Sequence, residues 1–336
     1  MKEKEIIEIL LKDSEEEKLF LEADEVRRKN LGEEVHLRGL LEFSNICAKN
    51  CLYCGLRKDN HFLKRYRMSQ EEILNSCLQA QELGLKTVVL QSGEDGYFTT
   101  SKMEDLISKI KSKTRLAVTL SIGELSRADY FRLKEAGADR FLMRFETSDR
   151  ALFSKYKPDS SYRRRFECLR WMREAGFQVG SGIMVGLPGQ SVKSLAKDIL
   201  LIKELELDMI SIGPFIANPD TPLAGNNKNN LKAALKVLAI TRILCPKAHM
   251  PATSAMEALS ANGRALALKA GANVIMPNIT PEKYRKDYLL YPGKIAISQS
   301  PIETVKNARE FIKKIGRIEA KDYGHSLRSQ DERKNS

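Results

Sequence analysis

Short apolar runs of strand length alternate along the chain with longer segments of helical spacing, and the alternation occurs eight times. The predicted strands are 36–45, 87–94, 117–123, 140–146, 179–186, 209–215, 251–256 and 273–279. Between them, segments such as 69–84 have helical spacing, with Ser69 and Glu72 placed for a capping box and Gly84 at the end. This alternation is typical of a parallel sheet built from βα units.

Eight such units over about 250 residues predict an α/β fold, a parallel (βα)8 barrel of the TIM type. A doubly wound open sheet is the alternative architecture. We expect a helical N-terminal extension over 1–35, the barrel over 36–318 and a polar C-terminal tail over 319–336. Because the tail has few large apolar residues, we expect it to be weakly ordered and to have no catalytic duty.

Polar and apolar residues alternate within several of the predicted strands. In the fourth strand, the apolar face carries Phe141, Met143 and Phe145, and the opposite face carries Arg140, Leu142, Arg144 and Glu146. Since the apolar face must meet the outer helices, the charged face enters the barrel lumen. A polar, charged ligand in the lumen would compensate these charges, and an internal salt-bridge layer that serves only stability is the alternative.

Three of the six cysteines, Cys47, Cys51 and Cys54, lie within eight residues directly after the first predicted strand. A loop at this position lies at the C-terminal mouth of a barrel, where barrel enzymes carry their chemistry. Three thiolates can bind three irons of a 4Fe-4S cube and leave the fourth iron open to a small molecule. Structural zinc is the alternative, but it usually needs a fourth Cys or His in a paired spacing.

Hydrophobic content and charge indicate which partners and which cell compartment to expect. The 336 residues are 42% hydrophobic without an apolar run long enough to span a membrane, and the acidic N-terminus lacks a secretory signal. We therefore expect a cytoplasmic protein without a membrane partner. The net charge of +12 comes from Lys and Arg scattered among acids, which predicts a solvated basic surface and no nucleic-acid partner.

The spacing C-x3-C-x2-C, with Tyr53 directly before the last cysteine, resembles the radical S-adenosylmethionine (SAM) superfamily. Segments such as EFSNICAKNCLYCGLRKDN, GADRFLMRFET, MVGLPGQ and GANVIMPN resemble one family in its biotin synthase-like group, the HydE-type maturases of iron-iron hydrogenase. The resemblance extends from about Val35 to Tyr323. Methylornithine synthases of the PylB type, mutases that share the barrel and the motif, are one alternative. A non-catalytic iron-sulfur scaffold or carrier is the alternative from another class.

The resemblance implies a complete set of cofactors and partners. Cys47, Cys51 and Cys54 would hold one 4Fe-4S cluster with an open iron, and SAM bound there would be cleaved reductively to a 5′-deoxyadenosyl radical. The implied role is maturation of the di-iron subcluster of the hydrogenase active site, with a cysteine-ligated Fe(CO)2(CN) precursor as substrate. The implied partners are this small organometallic or amino-acid-like substrate, a reductant of the ferredoxin or flavodoxin type, and other hydrogenase maturases.

The resemblance also assigns roles to individual residues. The expected SAM-binding residues are Tyr53, Ser92, Gly93, Glu94, Asp95, Thr119, Ser121, Arg144, Glu146, Arg165 and Met209. The expected substrate contacts are Arg140, Thr253, Met276, Tyr288 and Tyr291. Some family members carry extra C-terminal cysteines for a second cluster, whereas this sequence has none after Cys245, so we expect a single cluster.

Overall fold

The computed structural model describes residues 1–12, 14–226, 228–294 and 297–327. Its strands are β1 (Glu34–Ser44), β2 (Thr87–Ser92), β3 (Ala117–Ser121), β4 (Arg140–Leu142), β5 (Gln178–Val185), β6 (Met209–Pro214), β7 (Val274–Ile275) and β8 (Ile318–Glu319). Its helices are α1 (Glu3–Leu11), α2 (Glu16–Leu31), α3 (Gln70–Glu82), α4 (Thr100–Lys113), α5 (Arg127–Glu135), α6 (Arg150–Tyr156), α7 (Tyr162–Glu174), α8 (Val192–Glu204), α9 (Leu231–Leu244), α10 (Ser254–Leu259), α11 (Gly263–Lys269), α12 (Glu282–Arg285) and α13 (Pro301–Lys314).

Local sequence signals set the bounds of α3 as predicted. The Ser69 hydroxyl accepts a hydrogen bond from the Glu72 backbone N–H at 3.1 Å, and the Glu72 carboxylate accepts one from the Ser69 N–H at 2.8 Å. This reciprocal pair satisfies two N–H groups that the first helical turn leaves open. At the other end, Gly84 adopts a φ of 79°, a backbone conformation that glycine reaches without steric cost.

The strands form one parallel sheet that curls into a barrel. Neighbours along the sheet run in the order β6, β5, β4, β3, β2, β1, β7. Isolated parallel bridges from Met209 to His249 and from Pro251 to Val274 connect its two edges, so the segment 249–251 takes the place of a strand between β6 and β7. The ring of neighbours therefore closes, and the predicted (βα)8 barrel is confirmed.

Three predicted strands differ from the structure by more than two residues, and one of them, 273–279, is shortened to Val274–Ile275. The predicted strand 251–256 is wrong beyond Pro251, because Ser254–Leu259 forms α10. The segment SAMEAL is rich in helix-forming residues, and Pro251 lacks the N–H that a strand would donate. The predicted strand 140–146 is too long, since β4 ends at Leu142 and Glu146 has a φ of 67°.

The apolar faces of the strands pack outward against the helices, as the alternation predicted. Phe141 contacts Tyr130 of α5 edge to face, with ring centroids 5.1 Å apart, and Phe145 lies 5.5 Å from Phe166 of α7. Both phenylalanines are fully buried. Each such ring contributes about 1.5–3 kcal/mol through burial, so this face holds the helices on the barrel.

The two chain ends pack on the barrel. The predicted N-terminal helical segment is present as α1 and α2; α1 packs on α8, and α2 packs on α9. The expectation of a weakly ordered tail is wrong for its described part, because β8 pairs with β1 and Ser326 is buried. Buried arginines explain this packing: Arg38 donates to the Gly324 carbonyl at 3.0 Å and Arg140 to the Tyr323 carbonyl at 2.6 Å. Residues 328–336 of the predicted tail lie outside the described residues.

Within the described residues, every helix is too short or too polar to cross a membrane.

Candidate active site

The three motif cysteines lie on the loop that follows β1, at the C-terminal mouth of the barrel. All three are half-buried and none is in a disulfide. Cys54 hydrogen-bonds back to Cys51 through its backbone N–H at 3.1 Å, which turns the chain between these two thiols. The three thiols interact electrostatically with one another, so the loop places them close together.

Two polar residues that sequence reasoning missed hold this loop in shape. The fully buried Asn45 donates to the carbonyls of Lys64, at 2.8 Å, and Asp287, at 2.6 Å. The Arg65 guanidinium donates to the carbonyls of residues 45, 56, 57 and 60 at distances of 2.6–3.1 Å. Backbone carbonyls in a loop have no hydrogen-bond partners in a helix or a strand. The several N–H donors of one guanidinium provide these partners here. Arg65 belongs to a basic run, KRYR, which was the only signal for its role.

The sulfur atoms have hydrogen-bond donors around them. Backbone N–H groups of Lys49 and Glu94 each lie 3.4 Å from Cys47 Sγ. The Lys157 ammonium lies 3.3 Å from Cys51 Sγ. Burial raises the pKa of the Cys47 thiol and raises that of Cys54 to about 12. Iron must therefore displace protons from these thiols when it binds, and the donors then stabilise the sulfur charge.

Gly93 lets the end of β2 pass directly against the cysteine loop. A Cβ atom at this position would lie 2.7 Å from the Cys47 Cβ and closer still to the Ile46 carbonyl oxygen. The Gly93 N–H donates to the Ser44 carbonyl at 3.0 Å, which fixes the two segments to each other. Any side chain here would push Cys47 out of place.

Charged residues form a network beside the cysteines. The Tyr53 hydroxyl donates to Glu146 Oε1 at 3.2 Å, and Glu146 Oε2 lies 3.0 Å from the Arg144 guanidinium. Arg165 pairs with Glu124 at 3.0 Å, but its Nη2 has no hydrogen-bond partner among the described residues. A buried, unpartnered guanidinium nitrogen is costly unless a ligand accepts from it.

The two acidic residues that follow β2 have different partners. Glu94 lies 3.8 Å from the Lys49 ammonium, and burial raises the pKa of Glu94. Asp95 instead accepts two hydrogen bonds from Arg67, both at 2.7 Å, and one from Ser44 at 2.7 Å. Asp95 therefore stabilises the cysteine loop through Arg67 and Ser44.

Several predicted residues contribute hydroxyl groups to the barrel interior, some of them without a hydrogen-bond partner and others bonded to protein groups. Thr119 Oγ1 and Thr253 Oγ1 are buried without a hydrogen-bond partner in the described part of the chain. The Tyr288 hydroxyl accepts from Gln91 at 3.2 Å, and the Tyr291 hydroxyl lies 2.6 Å from Ser254 Oγ. Ser92, Ser121 and Met276 are half-buried as well.

Two predicted residues lie at the opposite end of the barrel. Arg140 begins β4, and its guanidinium lies 3.2 Å from Thr87 Oγ1 at the start of β2. Thr87 is five residues below Ser92, so at 3.3 Å per residue this level lies about 16 Å below the cysteine loop. Met209 begins β6, and its sulfur accepts from Arg38 at 2.9 Å. The roles of Arg140 in substrate binding and of Met209 in SAM binding stay predictions. Their position far below the cysteine loop does not favour these roles.

The residues at the mouth fit an iron-sulfur cluster with a zwitterionic ligand. Three thiols with N–H donors supply the metal ligands, while Arg165 Nη2 supplies an open hydrogen-bond donor. Glu94 and Glu146 supply carboxylates for a ligand ammonium group. This combination of soft sulfur ligands and paired charges is suited to a cluster-bound amino acid.

Comparisons with known proteins agree with this geometry. Residues 41–202 match the Radical SAM superfamily, and residues 209–316 match the Biotin and Thiamin Synthesis associated domain. A solved methylornithine synthase (PylB) superposes with a TM-score of 0.83 at 25% identity, covering 95% of this chain and 94% of that one. The fold and the site define a radical SAM enzyme of the biotin synthase-like group, a class whose cofactors are a 4Fe-4S cluster and SAM.

Sequence identity separates two families within this class. The chain is 50% identical to the FeFe hydrogenase maturase subunit HydE of Thermotoga maritima, over 92% of this chain and 88% of the relative. It is 31% identical to the 3-methylornithine synthase of Methanosarcina acetivorans, over 80% of this chain and 76% of that protein. The chain belongs to the HydE family of FeFe hydrogenase maturases.

Proposed function

We propose that Cys47, Cys51 and Cys54 bind three irons of one 4Fe-4S cluster and leave the fourth iron for SAM. The enzyme then acts in the maturation of the di-iron subcluster of FeFe hydrogenase, on a cysteine-ligated Fe(CO)2(CN) precursor. The observation that carries the proposal is the set of three half-buried thiols on one loop together with the buried Arg165, whose Nη2 has no hydrogen-bond partner among the described residues. The 50% identity to a HydE maturase supports the role in hydrogenase maturation.

When bound, the cluster would pass one electron from the reductant to SAM, and this chemistry would break a carbon–sulfur bond of SAM to give methionine and a 5′-deoxyadenosyl radical. The chain orients the amino acid end of SAM. Arg165 donates to the SAM carboxylate from a side chain that Glu124 holds at 3.0 Å. Glu94 and Glu146 accept from the SAM ammonium, and Tyr53 fixes Glu146 by a 3.2 Å hydrogen bond.

The lumen below this site receives the substrate. Thr253, Tyr288 and Tyr291 present hydroxyls, and Met276 presents a soft, adaptable surface. Arg144, which pairs with Glu146 at 3.0 Å, adds a guanidinium group with several N–H donors. Hydroxyl donors together with a cation suit an anionic complex that carries cyanide and carboxylate groups.

The proposal includes partners and a compartment. A ferredoxin- or flavodoxin-type protein supplies the electron, and other hydrogenase maturases supply the substrate or receive the product. Free thiols that must bind iron favour a reducing compartment, so we place the enzyme in the cytoplasm.

The test combines SAM cleavage with substrate choice. The anaerobically reconstituted enzyme is mixed with dithionite and SAM, and either a cysteine-bound Fe(CO)2(CN) complex or lysine is added. We expect 5′-deoxyadenosine to form and the iron complex alone to be consumed. Conversion of lysine to methylornithine would instead support a mutase, and no 5′-deoxyadenosine with either substrate would support a carrier.

A further inference from the structure

Lys157 is a buried lysine whose ammonium contacts the cysteine loop. Its Nζ lies 3.3 Å from Cys51 Sγ and 3.2 Å from the Tyr53 hydroxyl, and the side chain is 6% exposed. Lysine is almost never buried without a partner. No carboxylate among the described residues lies within ion-pair distance of this ammonium, and Glu94 acts on it only from farther away. The Cys51 sulfur is therefore its nearest anionic partner when Cys51 binds iron as a thiolate.

The backbone around Lys157 is fixed against the same loop. The Tyr156 carbonyl accepts from the Leu52 N–H at 2.9 Å, and the Asp159 carboxylate accepts from the Asn50 N–H at 2.6 Å. Segment 156–159, which begins at the last residue of α6, thus holds the loop on both sides of Cys51. The position of the ammonium is therefore set by the fold.

We infer that Lys157 is a positioning residue that acts through Cys51 and stabilises the reduced form of the cluster. Reduction adds one negative charge to a cluster already surrounded by thiolates. A cation that donates to a ligand sulfur offsets part of that charge, and hydrogen bonds to the sulfurs and local charge set cluster potentials. The inference rests on the proposed ligation by Cys47, Cys51 and Cys54.

The experiment compares two substitutions at this position with one control. Lys157→Met keeps the length and removes the charge, while Lys157→Arg keeps the charge. Lys155→Met is the matched control, because Lys155 is an exposed residue of α6 two positions before Lys157 and its loss changes the net charge equally. Each variant is reconstituted anaerobically, its iron and sulfide are measured, and its cluster is titrated by EPR-monitored reduction without SAM.

We expect Lys157→Met to lower the ratio of reduced to oxidised cluster at a fixed potential by about tenfold, which equals a downward shift of about 59 mV for one electron. Lys157→Arg and Lys155→Met should keep the wild-type ratio. An unchanged ratio in Lys157→Met, or an equal shift in Lys155→Met, would overturn the inference. Loss of the cluster from both position-157 variants would also overturn it, since shape and not charge would then matter. A wild-type protein without a four-iron cluster would contradict the proposed function itself.

Discussion

Gly93 offers a sharp test of how closely the sheet supports the cysteine loop. An alanine Cβ would lie 2.7 Å from the Cys47 Cβ, which is 0.7 Å less than the 3.4 Å where ordinary contact begins. The neighbouring backbone atom, Ile46 C, would lie 2.9 Å away and has no rotamer by which to withdraw. Gly93→Ala therefore requires the loop to shift by at least about 0.7 Å, since the Ile46 carbonyl oxygen would lie nearer still. Metal–ligand distances tolerate only about 0.2 Å.

The shift affects stability less than it affects the cluster. Overpacking of this kind costs about 1–3 kcal/mol, so the apoprotein should still fold. We expect Gly93→Ala to retain less than about half of the wild-type iron after anaerobic reconstitution, because Cys47 no longer reaches its iron. Iron and sulfide analysis measures the loss, and urea unfolding of the apoprotein measures the stability.

Gly96→Ala is the control, because a Cβ at Gly96 meets nothing within 4 Å. This variant should bind the wild-type amount of iron and unfold at the wild-type urea concentration. If Gly93→Ala also keeps full iron and stability, then the close approach does not constrain Cys47 and the reasoning is refuted.

Three further predictions follow from single features. Arg165→Ala should weaken SAM binding about 10- to 100-fold and leave the iron content unchanged, because one charged hydrogen bond is lost. A titration with SAM measures the affinity, and a wild-type affinity would refute the contact. Truncation after Lys321 removes the carbonyls bound to Arg38 and Arg140, so the free energy of unfolding should fall by about 2–4 kcal/mol. Thermal unfolding measures this change, and an unchanged unfolding curve would show that the tail does not stabilise the barrel. Burial and nearby Arg38 lower the pKa of His36 to about 4, below its usual 6.5. His36 thus takes up a proton on unfolding, so its contribution to the free energy of unfolding is lost as pH falls from 6.5 towards 4, by about 2 kcal/mol between pH 6.5 and 5. Urea unfolding at these two pH values should show a smaller loss of stability for His36→Gln than for the wild type, and equal losses would contradict the assignment.

The sequence predicts the barrel and the cysteine loop because both depend on local patterns. Alternation along 140–146 correctly assigns Phe141 and Phe145 to the helix-packed face, and the cysteine spacing identifies the chemistry of the loop. A strand's period of two is set by backbone geometry and needs no knowledge of distant residues. These features could therefore be predicted without the structure.

The rest depends on contacts between distant parts of the chain. Lys157 and Cys51 are 106 residues apart, and their contact depends on where α6 ends. Arg140 was correctly predicted to enter the lumen, but its partner Tyr323 lies 183 residues away in a segment without an apolar pattern. Alternation gives the face of a strand and not the depth along the barrel axis, so it could not place Arg140 relative to the cysteines.

The EPR spectrum of the reduced cluster, recorded with and without SAM, tests the central claim most directly. If Cys47, Cys51 and Cys54 leave one iron open, SAM binds that iron and must change the spectrum of the wild-type protein, while Cys51→Ala must show no 4Fe-4S signal. A fully loaded wild-type cluster whose spectrum is unaffected by saturating SAM, or a Cys51→Ala variant with a full cluster, would contradict the account.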